Sequence, residues 1–219
     1  MISYNQIVTY NMISTLFKAW FCTSQILTIP PNIIISLILR LQVTRPPGLK
    51  IKPGTLIIAN HQSKIDPFLI TYHLGWKNLP SVLPVRYPVL NIYMCRPILG
   101  AIIRLLGGYD IGSTALERLR GLARTRSLLK RGYSVLIFPE GKINYTANDI
   151  EQFKRGAEML FSYNYPVLFV RLCNINGPNR WKFWRKHEHH QIIYSNCLDS
   201  SADTPLKIKL MMNFYGIKL

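Results

Sequence analysis

Acidic side chains are scarce in this sequence. Its 219 residues include 10 Asp and Glu against 27 Lys and Arg, which gives a formal net charge of +17 at pH 7 and a sequence pI of about 10.0. A basic excess of this size predicts attraction to an anionic partner, either a nucleic acid or a membrane surface. The chain contains no recognised nucleic-acid-binding module, so the charge favours a membrane.

Cysteine is also scarce. The four cysteines are widely separated and form no C-x-x-C pair: Cys22, Cys95, Cys173 and Cys197. This spacing argues against a zinc site and a disulfide framework, and it predicts a reducing compartment. The run His187-Glu188-His189-His190 falls in a predicted loop, where adjacent side chains bind metals adventitiously, so we expect no resident metal.

The first 39 residues lack charge, with the exception of Lys18. Residues 19–39 are long enough to span a bilayer, but Pro30-Pro31 interrupt them. We therefore expect two shorter helices, 3–29 and 32–42, that lie in or dip into one membrane leaflet. The alternative is that both helices only cover a soluble domain. The segment has no secretory signal pattern, because no positively charged region precedes its apolar part.

The remaining chain alternates between apolar runs and helical patterns. This alternation predicts an α/β fold with a mostly parallel sheet flanked by helices. We divide the chain into an N-terminal membrane-associated helical pair, 1–45, and an α/β domain, 46–219. Strands are expected at 55–60, 81–85, 109–111, 133–138, 167–172 and 191–198, and helices at 67–74, 113–130 and 149–163. The segment 88–106 is expected to contain a turn near Pro97 and a short helix that ends at Leu106.

Two of the expected strands run directly into polar loops. Asn60-His61 follows the first strand, and Asp66-Pro67 then resembles a helix start, with Asp66 as the N-cap. Glu140 follows the strand that ends at Phe138. In parallel sheets the functional residues lie at the carboxyl ends of strands, and His61 and Glu140 both occupy such a position. Taken alone, Asp66 is either a helix cap or the orienting partner of a catalytic His61.

These motifs resemble those of the glycerolipid acyltransferase family, which includes lysophosphatidic acid acyltransferases, glycerol-3-phosphate acyltransferases and tafazzins. The resemblance rests on His61-x4-Asp66 followed, about 70 residues later, by Phe138-Pro139-Glu140-Gly141. It extends over 50–175, because 97–108 and 153–156 are similar to further family motifs. The neutral N-terminal helices are similar to the membrane-seated helical pair of the family.

The resemblance implies acyl transfer to a lipid hydroxyl without a metal, a cofactor or a covalent intermediate. His61 would be the general base, since an imidazole exchanges protons near neutral pH, and Asp66 would orient it. The acyl donor would be acyl-CoA or acyl-carrier protein, and the other partners would be membrane phospholipid and lysophospholipid. The implied location is a membrane, with the active site on its cytoplasmic side. The candidate substrate-binding residues are Asn60, Glu140, Gly141, Lys142, Arg86 and Arg171.

Two arginines that clamp the acceptor phosphate in the family are missing here. The segment after Gly108 contains no arginine, and Gly141 is followed by Lys142-Ile143-Asn144, which is similar to the tafazzin version. Lys142, Arg86 or Arg171 could substitute, although a lysine lacks the bidentate geometry of arginine. Three functions therefore remain open: acylation of a lysophospholipid of the 1-acyl-glycerol-3-phosphate type, tafazzin-like transacylation, and non-catalytic membrane binding.

Further basic segments favour an anionic surface. The helix at 113–130 is rich in arginine, with Arg120, Arg124 and Arg131 on one face. These side chains either contact lipid headgroups or an anionic cofactor, or they form a solvated basic face. The run 180–186 interleaves Trp, Phe, Lys and Arg, which is typical of a membrane interface and also compatible with stacking on single-stranded nucleic acid.

Overall fold

The structure, a computed structural model, describes residues 4–144, 150, 153–175 and 190–216, with side chains from Thr15 onward. The chain begins with two helices, α1 (Tyr4–Ile26) and α2 (Ile29–Ile38). The prediction placed the break between them at Pro30-Pro31, but both prolines lie in the first turn of α2. Proline is tolerated there because the first N–H groups of a helix have no intrahelical partner.

One stretch of the described chain is long and apolar enough to cross a membrane by length and composition. It covers Thr15–Ile38, 24 residues, and only 17% of its apolar window is buried. Core helices of soluble proteins pass the same test, but they are mostly buried. The apolar N-terminal pair of helices is therefore present as predicted.

The sheet is mixed and mostly parallel, as predicted. Five strands are ordered β1-β7-β6-β2-β5, and only the β6–β7 pair is antiparallel. The parallel pair β3–β4 extends the sheet beyond β5, because Arg86, which directly precedes β3, forms a bridge with Val135 of β5. The strands are β1 (Gln42–Thr44), β2 (Leu56–Ala59), β3 (Tyr87–Val89), β4 (Gly108–Asp110), β5 (Val135–Ile137), β6 (Val167–Cys173) and β7 (Gln191–Tyr194).

Helices cover both faces of the sheet, so its central strands are buried on both sides. Ile57 of β2 lies in one core cluster with residues of α3, and Leu56 and Ile58 lie in the other with residues of α7, α8 and α9. The helices after α2 are α3 (Asp66–Tyr72), α4 (Leu79–Val82), α5 (Asn91–Met94), α6 (Pro97–Leu105), α7 (Ala115–Lys130), α8 (Arg155–Phe161) and α9 (Thr204–Tyr215).

Several predicted bounds differ from the structure. The strand expected at 81–85 is wrong: α4 ends at Val82, and pairing begins only at Arg86. A single turn forms because the buried Asn78 amide ties this segment to Ile51 N and Leu49 O. The helix α7, expected from 113, begins at Ala115 with Thr114 as its N-cap. The strand β1 and the helix α9 were not predicted.

Candidate active site

The loop after β2 folds around one buried carboxylate, that of Asp66. Its Oδ2 accepts hydrogen bonds from His61 Nδ1 at 2.9 Å and from the main-chain N–H groups of Gln62 and Ser63, both at 2.7 Å. The Ser63 hydroxyl donates to Oδ1. Asp66 was predicted as the N-cap of α3, but the N-cap is Ile65 and no side chain caps this helix. The carboxylate turns back onto its own loop, where it orients His61.

Two contacts hold the His61 ring, and two more hold its main chain. Asp66 binds its Nδ1. Phe138 stacks on the ring, with centroids 3.9 Å apart and planes 14° apart. The main chain of His61 is also fixed, because its N–H donates to Glu140 Oε1 at 3.4 Å and its carbonyl accepts from Asn144 N at 2.7 Å.

The contact with Asp66 indicates which imidazole nitrogen carries the proton. The carboxylate of Asp66 accepts only, so Nδ1 carries the proton and Nε2 is the basic nitrogen. The side chain of Asp66 is fully buried, whereas that of His61 is 18% exposed. A partly exposed imidazole oriented by a buried carboxylate can accept a proton from a hydroxyl that reaches it.

The same loop is tied to the neighbouring strand β6. The Asn60 side chain donates to Leu172 O at 2.8 Å and accepts from Leu172 N at 2.7 Å. Gln62 Oε1 accepts from Ile175 N at 2.7 Å. Asn60 and Gln62 are each 1% exposed. In this structure, Asn60 therefore supports the loop from within instead of presenting its amide to a substrate.

The loop after β5 lies beside the loop after β2, because β2 and β5 are adjacent parallel strands. Glu140 is 2% exposed and contacts the main chain of His61, so it too positions the loop that carries His61. Gly141 is exposed and has a φ of +64°, a conformation that favours glycine. The side chain of Lys154 lies next to Gly141, because a methyl group added at Gly141 would be 3.6 Å from Lys154 Cγ.

Three cationic side chains lie at the carboxyl end of the sheet near these loops. Lys142 and Lys154 are exposed. Arg171 directly follows Val170, the partner of Ala59 across β6 and β2, and is half-buried. Arg171 and Glu140 both influence Tyr215 of α9: burial raises the pKa of its hydroxyl, Glu140 raises it further, and Arg171 lowers it.

The structure does not bring Arg86 to this site. Arg86 pairs with Val135, which is level with Leu56 at the amino end of β2. His61 lies five positions beyond Leu56, so it is roughly 16 Å further along the strand direction. The expectation that Arg86 replaces a missing phosphate-binding arginine next to His61 is therefore not supported by its position.

Arg86 instead lies under the N-terminal helices. Its guanidinium carbon is 4.1 Å from the ring centroid of Phe21 in α1. Burial lowers the pKa of Arg86, and the nearby cations of Arg124 and Arg131 lower it further. Arg124 and Arg131 also lie over the rings of Tyr109 and Tyr133, at 5.2 and 5.5 Å. Part of the predicted basic face of α7 is thus engaged in cation–π contacts.

Sequence reasoning assigned no role to several residues that build the site. Phe138 was recognised only as part of a motif. The pattern of apolar residues along its strand does not indicate that its ring stacks on His61. Ser63 could have been suspected, because a hydroxyl three positions before an Asp is within reach of it in a tight loop. Lys154 lies close in space to Gly141 but 13 positions away in sequence, so no local pattern connects them.

Two other features lie apart from His61. A groove of about 460 Å³ between α7 and α8 includes none of the candidate site residues in its lining. Among the described residues no group of three metal-binding side chains occurs. His190 is buried, with Nδ1 2.6 Å from Asn174 O, whereas 187–189 and the basic–aromatic run 180–186 lie outside the described residues.

Comparison with known proteins places this site in a family. The sequence profile of the acyltransferase family matches residues 40–170, which include His61, Asp66 and Glu140. The chain belongs to the acyltransferase family. The loop that holds His61 against Asp66 is therefore the part of this acyltransferase domain on which the proposed chemistry depends.

Relatives of this acyltransferase chain carry a more specific name. It is 29% identical over 130 residues to a probable 1-acyl-sn-glycerol-3-phosphate acyltransferase of Mycoplasma genitalium, a match covering 58% of this chain and 46% of that protein. It is 25% identical over 142 residues to the 1-acyl-sn-glycerol-3-phosphate acyltransferase of Borreliella burgdorferi, covering 64% and 53%. The chain thus spans about half the length of the curated relatives it matches.

A solved structure shares the fold. The crystal structure of the 1-acyl-sn-glycerophosphate acyltransferase PlsC from Thermotoga maritima superimposes with a TM-score of 0.59 at 18% sequence identity. The match covers 94% of this chain and 95% of that chain, so it includes the N-terminal helices as well as the sheet.

Proposed function

We propose that this chain transfers a fatty acyl group from acyl-CoA or acyl-carrier protein to the free hydroxyl of a lysophospholipid of the 1-acyl-glycerol-3-phosphate type. The observation that carries the proposal is the 2.9 Å contact between His61 Nδ1 and the buried Asp66 carboxylate. It engages Nδ1 with the carboxylate and leaves Nε2 to accept a proton from the acceptor hydroxyl. The names of the relatives support the phosphate-bearing acceptor.

The reaction follows from this geometry. His61 Nε2 removes the proton from the acceptor hydroxyl as its oxygen attacks the thioester carbonyl carbon. The Asp66 carboxylate stabilises the imidazolium that forms and keeps Nδ1 protonated throughout. When the tetrahedral intermediate collapses, the carbon–sulfur bond breaks and the imidazolium returns its proton to the departing sulfur. The products are an ester and a free thiol, and His61 is regenerated.

The acceptor phosphate requires a cationic partner, which in this chain is a lysine. We propose Lys142 and Lys154, which are exposed beside Gly141, with Arg171, which follows Val170 at the same end of the sheet, as a further cation. Their charges attract a phosphate without the planar bidentate geometry of arginine. Such a site would accept phosphates that carry a headgroup more readily than an arginine clamp would.

The membrane supplies the acceptor in this proposal. Phe17, Trp20 and Leu37 expose large apolar surfaces on α1 and α2, at 58%, 62% and 71%. Helices of this kind bind the membrane interface when their apolar side is not covered by protein. We propose that the chain is membrane-associated through this pair and that its active site works on the cytoplasmic side, where soluble acyl donors are present.

A second candidate reaction uses the same base. In a tafazzin-like transacylation the acyl donor is a phospholipid ester, and the leaving group is an alcohol instead of a thiol. The sequence Gly141-Lys142-Ile143-Asn144 favours it, because it is similar to the tafazzin motif. The two reactions differ in whether product forms without any thioester donor.

The experiment is an acyl-transfer assay of the purified protein in detergent micelles. Acyl-CoA, acyl-carrier protein and phospholipid are supplied separately as donors, with lysophosphatidic acid and lysophosphatidylcholine as acceptors. His61→Ala and Asp66→Asn should each lower the rate by about 10²- to 10⁴-fold, because they remove or misorient the base. Lys64→Ala, an exposed position in the same loop, is the matched control and should leave the rate unchanged.

The outcomes separate the alternatives. Thioester-dependent product that disappears with His61→Ala supports the proposal, and thioester-independent product supports the transacylase. Activity that persists in His61→Ala would contradict the mechanism. No transfer from any donor, together with binding to anionic vesicles, would indicate a non-catalytic membrane-binding protein.

A further inference from the structure

The helix α6 exposes an apolar surface that no described residue covers. Ile98 is 79% exposed, Ile102 46% and Leu105 39%. These residues recur at intervals of four and three positions, so they form one continuous face of the helix. Leu99 adds to the same side with 38% exposure. An exposed apolar face of this kind marks a site of interaction with protein or membrane.

The opposite side of α6 is committed to the protein, so this face cannot turn inward. Gly100 is buried against α5, where an added Cβ would lie 2.3 Å from Met94 O. Arg104 donates from Nη2 to the same carbonyl oxygen at 3.1 Å. These contacts fix the rotation of the helix about its axis. The apolar face of α6 therefore points outward because of its packing.

The end of α6 is attached directly to α1. Ser24 Oγ donates to Leu105 O at 2.7 Å, and Gln25 Nε2 donates to Leu106 O at 2.9 Å. Two turns and one turn before Ser24, α1 exposes Phe17 and Trp20. The uncovered surface of α6 is therefore continuous with the apolar surface of the N-terminal helices.

The charge around this surface has a single sign. Residues 67–109, which contain α4 to α6 and all of α3 except Asp66, include no Asp or Glu. Arg96 precedes α6, Arg104 lies in its last turn, and both are exposed. An apolar helical face bordered by arginines is complementary to a lipid leaflet with anionic headgroups.

We infer that α6 is a third membrane-contacting helix, which enters the same leaflet as α1 and α2. With nine residues it is about 14 Å long, too short to cross a bilayer, so it lies at the interface with its apolar side among the acyl chains. The inference rests on the membrane association proposed above and extends it from the N-terminal pair to the α/β domain itself. The sheet edge formed by β3 and β4 is thereby held against the lipid surface.

The test measures partitioning of the full chain into vesicles of equal parts phosphatidylcholine and phosphatidylglycerol. The variant Ile98→Ser/Ile102→Ser removes apolar area without adding charge, and should weaken partitioning about tenfold or more. Leu116→Ser/Leu119→Ser is the matched control, since these leucines of α7 are similarly exposed, at 59% and 54%. It should change partitioning less than twofold. Thermal unfolding of both variants checks that the fold is retained.

A third variant, Phe17→Ser/Trp20→Ser, distinguishes this inference from the membrane association on which it rests. If it weakens partitioning while Ile98→Ser/Ile102→Ser does not, α6 does not enter the leaflet and the N-terminal association stands. If the unaltered chain ignores vesicles, the membrane association itself fails. A self-associated chain that Ile98→Ser/Ile102→Ser converts to monomer, without a change in partitioning, would show that a second copy covers α6 and would overturn the inference.

Discussion

The loop after β2 and the helix α1 are joined to the rest of the molecule by the same kind of hydrogen-bonded contact. A buried side-chain amide pairs with both the N–H and the C=O of a single residue, as a neighbouring strand would. Asn60 pairs in this way with Leu172, and Gln25 pairs with Val85, donating to its carbonyl at 2.6 Å and accepting from its N–H at 2.9 Å. The bonds are alike, but their surroundings differ.

Asn60 is one of many restraints on its loop, whereas Gln25 carries much of the attachment of α1. The loop around Asn60 is also held by Asp66, Glu140 and Phe138. The described part of α1 exposes most of its large apolar side chains, so its polar contacts with the α/β domain weigh more. The comparison shows that the site is built as one rigid unit, and that the adjacent apolar helix is attached at few points.

The largest effect on folding is expected from Asn60→Ala. It leaves the N–H and C=O of the fully buried Leu172 without their side-chain partner, which should cost about 2–4 kcal/mol of unfolding free energy. Urea unfolding followed by circular dichroism measures this loss. Asn164→Ala, at an exposed position, is the control and should stay within about 0.5 kcal/mol. Equal stability of the two variants would show that the amide bridge contributes nothing.

Gln25→Ala should have a smaller and more local effect. It releases the N–H and C=O of Val85, which is fully buried, and the C=O of Leu106, which is partly exposed and can bind water instead, so we expect about 1–2 kcal/mol. Hydrogen exchange at the Val85 N–H should accelerate about tenfold, while amides in the loop after β2 keep their protection. Thr23→Ala on the exposed side of α1 is the control. Loss of protection in both regions would contradict their independence.

The smallest effect at neutral pH concerns the contact between α2 and α3, and it grows in acid. His73 Nε2 lies 2.9 Å from Ser36 Oγ of α2, and burial, with a contribution from Arg45, lowers the pKa of His73 from 6.5 to about 4. The folded chain therefore binds fewer protons here than the unfolded chain. The associated stability is complete above about pH 6.5 and is lost as the pH falls towards 4.

His73→Gln tests this dependence because glutamine stays neutral throughout. The decline of Tm between pH 7 and pH 4.5 should be shallower in His73→Gln than in the unaltered chain. Parallel slopes for the two proteins would show that His73 does not contribute to the acid sensitivity.

The sequence predicts those parts of the fold whose signals are local. The β-branched runs give β2, β5 and β6 to within two residues, and the parallel alternation places His61 and Glu140 at one edge of the sheet. The alternation cannot show that the edge strand β1 pairs with β7, because Gln42–Thr44 has only three residues and no apolar run. The antiparallel direction of β7 likewise depends on a connection whose path no local pattern reveals.

The site residues also divide into those placed by a local signal and those placed by a long-range pairing. His61 and Asp66 were identified because their spacing is short, and their contact needs only a tight loop. Arg86 could not be placed from the sequence, because a position near a strand end does not say which end of the sheet the residue lies at. Its partner Val135 decides this, and that pairing joins residues almost 50 positions apart.

In the proposed mechanism, the stacking of Phe138 on His61 constrains how the two substrates approach. A nearly parallel phenyl ring 3.9 Å away covers one face of the imidazole, and the Asp66 contact engages Nδ1. A single nitrogen must then collect the proton and later release it. The arriving alcohol and the departing sulfur must therefore occupy the same small space in succession, so acceptor and donor approach the ring from the same side.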